Sequence, residues 1–464
     1  MNKKVVFIIL GHWFLYHRIA EALKANGVIV DTVTLGHANY CHLCKTGIYE
    51  EVSNLSKLIG SDISNESTNL ADYSHFFSDL SLNEIIKTDR ILYNKKQICG
   101  IPAEKYIYYL IKNIDNIINK QDISAIVFEP STAVALIAES IAHYYHKKTF
   151  YPQWPRTNIG FEIGDSYRGL YDKVMINYNR SSYDTISTTD LEKAKFFIDQ
   201  FRNKSLKPIY KKSVLSIGLA NSIKSKIANY SIALHETIYD KYSYYRLHIV
   251  TYPLKRYLSR LRLYNNNKFF TDTVNNNDQY FFYGLHYDPD LASLLWARTL
   301  SNQEEVIRLI SMNLPDGYIL YVKEHPAMKL NRPASFYKSI KSHHNVKLIR
   351  PEEDAHNLIK SAVSVVTLSG TIGFESIYYG KKPVVLGNDF YWSDDLVYRV
   401  YNYHELKYAL QKSIKYALSD QVIIRFANAY LKSILKMDVY THPSYAELSH
   451  DVVSPIANLI LSEI

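Results

Sequence analysis

The sequence predicts an α/β protein with two domains, each built on a parallel β-sheet. The chain has 464 residues, more than one ordinary hydrophobic core accommodates. Residues 363–387 have the pattern of a strand, a turn, a helix and a second strand, and residues 5–35 open the chain with a strand, a helix and a strand. Apolar strands that alternate with helices are typical of parallel sheets.

The stretch 363–387 contains a candidate phosphate-binding turn. Its strand, VSVVTL, is apolar on both faces and ends at Ser369-Gly370-Thr371. Gly370 allows a sharp turn, and we expect Ser369 or Thr371 to cap the helix that follows. The N–H groups at such a helix start attract anions. Glu375 lies one turn further on, where its carboxylate would accept hydrogen bonds from sugar hydroxyls beside a phosphate.

Composition bounds the class of protein. The chain has three cysteines, which argues against a disulfide scaffold and predicts a cytoplasmic location. No run approaches the roughly 20 apolar residues that a membrane span needs. The opening MNKKVVFIILG predicts a first β-strand rather than a signal sequence, because its apolar stretch is short and lacks a small-residue cleavage site.

The net charge of +9 is concentrated in residues 202–268, which contain 14 Lys or Arg and two acidic residues. Such a segment either contacts the anionic inner face of a membrane, which would make the protein peripheral there, or forms a solvated helical connector. We expect no nucleic-acid partner, because no recognised binding motif accompanies the charge.

A metal site is not expected. His37, Cys41, His42 and Cys44 in HANYCHLC have part of the spacing of a zinc site. A structural zinc site needs four ligands, however, and Cys99 stands alone in the sequence.

The first half of the chain offers two sources of a catalytic carboxylate. Glu129 follows the predicted strand 123–128, where it either takes part in catalysis or caps the next helix. The loop 152–172 supplies Arg156, Glu162, Asp165 and Arg168 and is longer than a plain connection requires. Residues 172–178 are expected to form the last strand of this domain.

Three predicted strand ends of the second half converge. His286 follows the first strand, Lys323 and His325 follow the second, and the turn 369–371 follows a later one. In a parallel sheet these ends share one edge. A cation, imidazoles, a helix N-terminus and a carboxylate together suit a phosphate ester attached to a ribose, so the sequence predicts a nucleotide site here.

The motifs YGLHYDPD, VKEHP and LSGTIGFESIYYGKKPVVLGNDFY, within residues 280–392, resemble the C-terminal half of the capsule polysaccharide biosynthesis family. That family includes bacterial Kdo transferases with two Rossmann-like domains facing a cleft, the GT-B type. The sequence departs from the family at Gly284, where Pro is usual, and at Asp290, where Glu is usual. These departures bear on the donor more than on the fold.

The resemblance implies roles for particular residues. In the family the His-Pro and Ser/Gly/Thr elements bind the nucleotide phosphate of a CMP-sugar, which implicates His325 and the turn 369–371. Asp165 and the RGLYD around Asp172 resemble an acidic segment of the family, with a spacing that differs by one residue. Asp165 is therefore the first candidate for the catalytic carboxylate and Glu129 the second.

The resemblance also implies a domain arrangement. Residues 1–185 would form a Rossmann-like acceptor domain, 186–278 a basic helical connector and linker, and 279–440 a Rossmann-like nucleotide-sugar domain. Residues 441–464 would form a helix that packs back across the first domain.

The function expected from the resemblance is glycosyl transfer. The enzyme would move Kdo or a related ulosonic acid from a CMP-sugar onto a surface polysaccharide or a lipid-linked acceptor. The nucleotide-sugar would be a substrate, and no cofactor is expected. A sugar-nucleotide 2-epimerase, a polyol-phosphate transferase and a non-catalytic scaffold that binds glycan or membrane are the alternatives.

Overall fold

A computed structural model of the chain divides into two compact units. The first comprises Met1–Leu170, Lys207–Tyr252 and Ile434–Ile464, and the second comprises Tyr171–Leu206 and Pro253–Ser433. The structure describes residues 3–10, 13–63, 68–77, 81–89, 92, 95–129, 133–153, 157, 159–166, 172–203, 234, 238–243, 257–258, 261–262, 264–289, 292–297, 300–328, 332–436 and 450–464.

The first unit opens with a strand, a helix and a strand, as predicted. Its strands are β1 (Lys4–Ile8), β2 (Ile29–Thr34), β3 (Val52–Asn54), β4 (Gln97–Ile98), β5 (Ile101–Pro102), β6 (Ile123–Phe128), β7 (Lys148–Gln153) and β8 (Gly160–Gly164). Its helices are α1 (Trp13–Ala25), α2 (His37–Thr46), α3 (Leu55–Asp62), α4 (Leu82–Thr88), α5 (Ala103–Ile118) and α6 (Ala133–Tyr144). Residues Leu70–Phe76 form a 3-10 helix.

The second unit repeats the alternation of strands and helices. Its strands are β9 (Tyr280–Gly284), β10 (Ile319–Lys323), β11 (Val346–Ile349), β12 (Ser364–Thr367), β13 (Val384–Val385) and β14 (Tyr398–Arg399). Its helices are α7 (Asp172–Arg180), α8 (Thr188–Arg202), α9 (Gln303–Asn313), α10 (Ala334–Lys341), α11 (Ala355–Ser361), α12 (Thr371–Tyr378), α13 (Tyr403–Lys415) and α14 (Asp420–Ser433). The chain then contributes β15 (Leu435–Lys436) and α15 (His450–Glu463) to the first unit.

Each unit is built on one main sheet with a Rossmann-like strand order. In the first unit the order is β15-β8-β7-β6-β1-β2-β3, and the five strands from β7 to β3 are parallel. In the second the order is β11-β10-β9-β12-β13-β14, and every pairing is parallel. Right-handed crossovers on both sides of a central strand give this order. The predicted class of two Rossmann-like domains is confirmed.

The last helix packs back onto the first unit, as predicted. It contacts α1, and Val453, Ile456 and Ile460 join the hydrophobic core that contains Leu15 and Ile19. Burial of these apolar side chains provides the free energy that holds the chain end against the N-terminal domain.

The second sheet is covered on both faces. Tyr283 and Val322 lie in one hydrophobic cluster, whereas Phe282 and Tyr321, their neighbours along the same strands, lie in another. Successive side chains of a strand point to opposite faces, so two covered faces produce the continuous apolar runs of these strands.

Residues 172–178 form helix α7 rather than the predicted strand. Val174, Met175 and Tyr178 are buried together, at a spacing that places them on one helical face. This face packs against α14, where the guanidinium of Arg425 lies 3.8 Å from the centroid of the Tyr178 ring and Phe426 meets that ring edge-on. The partner helix comes from far along the chain, so the local sequence did not reveal the choice.

The segment between the two halves is only partly described. Of residues 202–268, the structure covers 202–203, 234, 238–243, 257–258, 261–262 and 264–268, so the predicted connector lies largely outside the described residues. Among the helices within the described ranges, none is long and apolar enough to cross a bilayer.

Candidate functional site

The predicted site residues of the second unit lie at one edge of its sheet. β9 is central, with β10 on one side and β12 on the other. Lys323 pairs with Gly284 and Val366 pairs with Tyr283, so the three strands end at nearly the same level. The loops that carry His286, His325 and the turn 369–371 therefore leave the sheet side by side, as the sequence analysis predicted.

His286 lies against the turn that follows β12. Its backbone N–H donates to Gln303 Oε1 at 2.7 Å, and Gln303 Nε2 donates to its carbonyl at 3.3 Å. Its ring Nε2 lies 3.4 Å from Thr367 Oγ1. A Cβ placed on Gly370 would lie 2.9 Å from His286 Cε1, so a side chain at that position would displace the imidazole.

The helix after this turn starts without a side-chain cap. We expected Ser369 or Thr371 to cap α12, but the N-cap residue is Gly370, and no side chain in the described ranges accepts from the first turn. Ser369 is instead buried, with 1 % of its surface exposed. The Gly370 carbonyl accepts from Tyr391 Oη at 2.6 Å, which fixes the turn from the other side. The Gly373 N–H donates to the Gly370 carbonyl at 3.1 Å, so the N–H groups of Thr371 and Ile372 are the ones left for a ligand or for water.

Glu375 is a buried carboxylate one turn into the same helix. Its side chain is 6 % exposed, and in the described part of the chain no group donates a hydrogen bond to it. Burial raises the pKa of Tyr379 to about 12, and the neighbouring Glu375 carboxylate adds to that shift. Its oxygens are not among the buried atoms that lack a partner, so they reach solvent and are open to hydroxyl groups of a ligand.

Lys323 and His325 flank Glu324 after strand β10. The residue Lys323 is 6 % exposed, and its ammonium donates to the Pro351 carbonyl at 2.9 Å, just after the neighbouring strand β11. The imidazole of His325 is partly exposed and meets the ring of Tyr287 edge-on, with ring centroids 6.0 Å apart. Tyr287, which the sequence analysis passed over, brings an aromatic surface to this edge.

A buried ionic network, also missed by the sequence analysis, lies under these loops. Glu324 is fully buried and accepts from Arg332 Nε at 3.0 Å and from Tyr337 Oη at 2.5 Å. Arg332 Nη1 lies 3.2 Å from Asp288 Oδ2. Burial, with the Glu324 carboxylate next in importance, raises the pKa of the Tyr337 hydroxyl far above its usual value. The feature of the sequence that could have indicated this network is Glu324, an acidic residue directly after a buried strand.

In the first unit, Glu129 follows β6 as predicted. It is 6 % exposed, and its Oε2 accepts from the backbone N–H of Leu10 at 2.7 Å. The carboxylate at the start of α6 is that of Asp89, whose Oδ2 accepts from the Ala133 N–H at 2.8 Å. Glu129 therefore contacts the loop after β1, and the Asp89 carboxylate caps the start of α6.

Asp165 lies two strands away from Glu129, beside Phe150 of β7, which pairs with Val127 of β6. Residues 160–164, expected to be part of a loop, form strand β8, which runs antiparallel to β7 and pairs Tyr151 with Gly164. The chain consequently reaches exposed Asp165 near the start of β7, where the Asp165 carbonyl accepts from Thr149 Oγ1. The structure does not bring the two predicted carboxylates together. Strand reversal was not visible in the local sequence.

Glu162 is the acidic residue of the 152–172 loop that lies at the same edge as Glu129. It pairs with Gln153, the last residue of β7, and is 2 % exposed. Arg156 and Arg168 lie outside the described residues. In the ranges that the structure covers, no group of three or more His, Cys, Asp or Glu has the arrangement of a metal site.

The sequence model for capsule polysaccharide biosynthesis proteins matches residues 188–421, about half of the chain and the part that holds the site of the second unit. The chain belongs to the capsule polysaccharide biosynthesis family. A search of curated proteins found no match.

Several solved structures are similar to this family member. A β-Kdo 2,4 transferase, KpsC of Thermosulfurimonas dismutans, is 14 % identical with a TM-score of 0.38, covering 67 % of this chain and 80 % of its own. The β-Kdo 2,7 transferase of the same KpsC is 11 % identical with a TM-score of 0.40, covering 75 % and 90 %. A UDP-GlcNAc 2-epimerase of Methanocaldococcus jannaschii is 10 % identical with a TM-score of 0.26, covering 93 % and 99 %.

Proposed function

We propose that this chain is a glycosyltransferase that binds the phosphate of a nucleotide-sugar at the carboxyl edge of its second sheet. The observation that carries the proposal is the contact between the His286 imidazole and Gly370 at the uncapped start of α12. The imidazole is beside the start of α12, where the N–H groups of Thr371 and Ile372 have no partner among the described residues, and both kinds of group suit a phosphate. His325 lies on the adjacent loop.

Glu375 supports a nucleotide rather than a bare phosphate. Its carboxylate is buried on the helix whose start would hold the phosphate, and within the described residues it receives no hydrogen bond. The hydroxyl groups of a ribose would supply the missing donors, and their binding would offset the cost of burying the charge.

The reaction breaks the bond between the anomeric carbon of the sugar and a phosphate oxygen. The electron pair of that bond stays on the nucleotide, where the start of α12 and the imidazoles of His286 and His325 would stabilise the charge as it develops. A new bond forms between the anomeric carbon and an acceptor hydroxyl oxygen, and the proton of that hydroxyl passes to a base. A carboxylate such as Glu129 has the chemistry of this base.

We propose a CMP-linked ulosonic acid such as Kdo as the donor, and a capsule glycan or its lipid-linked precursor as the acceptor. The donor rests on the motif VKEHP and on the turn 369–371, which resemble the elements that bind the phosphate of a CMP-sugar in the capsule polysaccharide biosynthesis family. The basic residues 202–268 would bring the enzyme to an anionic membrane that presents such an acceptor. Charge reversal in this segment should then release the protein from anionic vesicles. If vesicle binding is unchanged, residues 202–268 serve only as a connector.

Thermal unfolding with CMP, UDP or GDP tests the nucleotide site, because a ligand that binds only the folded state raises the melting temperature. We expect CMP to stabilise the protein. Incubation with CMP-Kdo and a glycan acceptor should then give free CMP and a lengthened acceptor. An isomerised sugar-nucleotide would identify an epimerase, transfer of a polyol phosphate would identify a polyol-phosphate transferase, and binding without turnover would identify a scaffold.

A further inference from the structure

The Arg332 guanidinium joins two loops that the sequence keeps far apart. Its Nη2 donates to the carbonyl of His286, and its Nη1 pairs with Asp288 at 3.2 Å, both on the loop after β9. Its Nε donates to Glu324 at 3.0 Å, on the loop after β10. The side chain is 4 % exposed.

Glu324 extends this connection to the second imidazole. While Oε2 accepts from Arg332 and from Tyr337, Oε1 accepts from the backbone N–H of His325 at 2.7 Å. One guanidinium therefore fixes the main chain of His286 directly and that of His325 through a single carboxylate.

Arginine is suited to this task in a way that lysine is not. A guanidinium has five N–H donors in a rigid plane, whereas an ammonium is a compact charge on a flexible stem. Here three separate nitrogens meet three partners, and the plane also lies over the Phe336 ring, 4.8 Å from its centroid. The position of each partner is thus tied to the positions of the other two.

We propose that Arg332 is a positioning residue that sets the separation and orientation of the His286 and His325 loops. It contacts both loops from beneath and acts through them. The consequence for turnover rests on the proposed nucleotide-sugar chemistry, in which both imidazoles act on one phosphate. The effect on the loops themselves does not depend on any ligand.

The ligand-free test is hydrogen–deuterium exchange of Arg332→Met, with Arg308→Met as the matched control. Arg308 is also paired to a carboxylate, Glu305, but on the surface of α9. We expect the amides of residues 285–288 and of residues 324, 325, 327 and 328 to exchange at least tenfold faster in Arg332→Met and at the wild-type rate in Arg308→Met. Faster exchange in one loop only, or in neither, would overturn the proposal.

Two further variants keep the test decisive if Arg332→Met does not fold. Arg332→Lys retains a positive charge beside Glu324 but lacks the planar set of N–H donors. The amides of both loops should therefore still exchange faster than in wild type. Asp288→Asn weakens only the ion pair between Arg332 and the partly exposed Asp288 carboxylate. Amide exchange should therefore become faster in residues 285–288 and stay at the wild-type rate in residues 324–328. Wild-type exchange rates in Arg332→Lys would contradict the proposal that Arg332 positions both loops. Faster exchange in both loops of Asp288→Asn would contradict it as well.

Kinetics separate this proposal from the proposed function. If wild type transfers sugar, Arg332→Lys should lower kcat by at least tenfold and change KM for the nucleotide-sugar less, and Arg308→Met should change neither. If wild type binds no nucleotide and transfers no sugar, the proposed function fails, and the exchange results alone decide whether Arg332 holds the two loops.

Discussion

The His286 imidazole lies so close to Gly370 that a single added methyl group would be 2.9 Å from its Cε1. The backbone of Gly370 is extended, with φ −119°, so a side chain there is limited by the space that His286 and Thr367 occupy rather than by backbone strain. This contact joins the loop after β9 to the start of α12. Substitutions of His286 and Gly370 can therefore test whether the contact matters for nucleotide binding.

Gly370→Ala should weaken nucleotide binding while leaving the fold intact. The added methyl group displaces His286 from the helix start, and we expect a loss of about tenfold in affinity, or about 1.4 kcal/mol. Calorimetric titration with the nucleotide that stabilises wild type measures it. In a His286→Ala background the same substitution should cost less, because only the contact with Thr367 Oγ1 then remains. Equal losses in both backgrounds would show that the contact is irrelevant to binding.

His325→Ala should reduce turnover by about 100-fold or more, since it removes a group that would stabilise charge developing on the phosphate. The melting temperature should stay near that of wild type, because the imidazole is only partly buried. The control is His344→Ala, an exposed histidine of the same unit. Normal transfer by His325→Ala would remove this residue from the mechanism.

Glu375→Gln should separate binding from stability. The substitution replaces a buried charge that has no donor within the described residues, so the unliganded protein should be equally stable or more stable by about 1 kcal/mol. Nucleotide affinity should nevertheless fall, because the carboxylate would no longer accept from ribose hydroxyls. Chemical unfolding and calorimetric titration measure the two effects. Glu352→Gln, at an exposed position, is the control, and a strong loss of stability in Glu375→Gln would refute the ligand role.

The two carboxylates put forward from the sequence should differ when tested separately. Glu129→Gln keeps an acceptor for the Leu10 N–H but removes the base, so transfer should fall by about 100-fold or more. Asp165→Asn should leave transfer unchanged, because Asp165 is exposed and lies two strands away from Glu129. Initial rates at saturating donor decide the matter, and loss of transfer in Asp165→Asn alone would reverse the assignment.

Stability of the first unit should depend on pH through His17. Burial, followed by the charge of His42, lowers the pKa of His17 from 6.5 to about 4. Because the unfolded chain binds the proton more tightly, the stability present above pH 6.5 is lost as the pH falls toward 4. The loss is about 2 kcal/mol.

Urea unfolding of wild type and His17→Phe at several pH values from 7 to 4 measures this contribution. The variant should lose less stability than wild type across that range. Tyr49→Phe, which removes the hydrogen-bond partner 2.7 Å from His17 Nδ1 but leaves the imidazole buried, should keep most of the pH dependence. Parallel curves for wild type and His17→Phe would contradict the assignment.

Features set by neighbours in the chain were predictable. The strand, turn and helix around Gly370 follow from an apolar run and a residue that permits a sharp turn, and parallel strand order brings His286, His325 and that turn to one edge. Even there, the capping prediction was wrong, because the N-cap position of α12 is occupied by Gly370, which has no side chain.

The sequence by itself thus determined two Rossmann-like domains, the edge that carries the candidate phosphate site and most of the residues at that edge. Tertiary structure alone decided that residues 172–180 are helical against α14, that β8 reverses and carries Asp165 away from Glu129, and that Arg332 joins two loops. The physical reason is the range of the interactions. Periodicity and turn residues act over a few positions, whereas a helix partner, a strand pairing and a buried ion pair join residues distant in the chain.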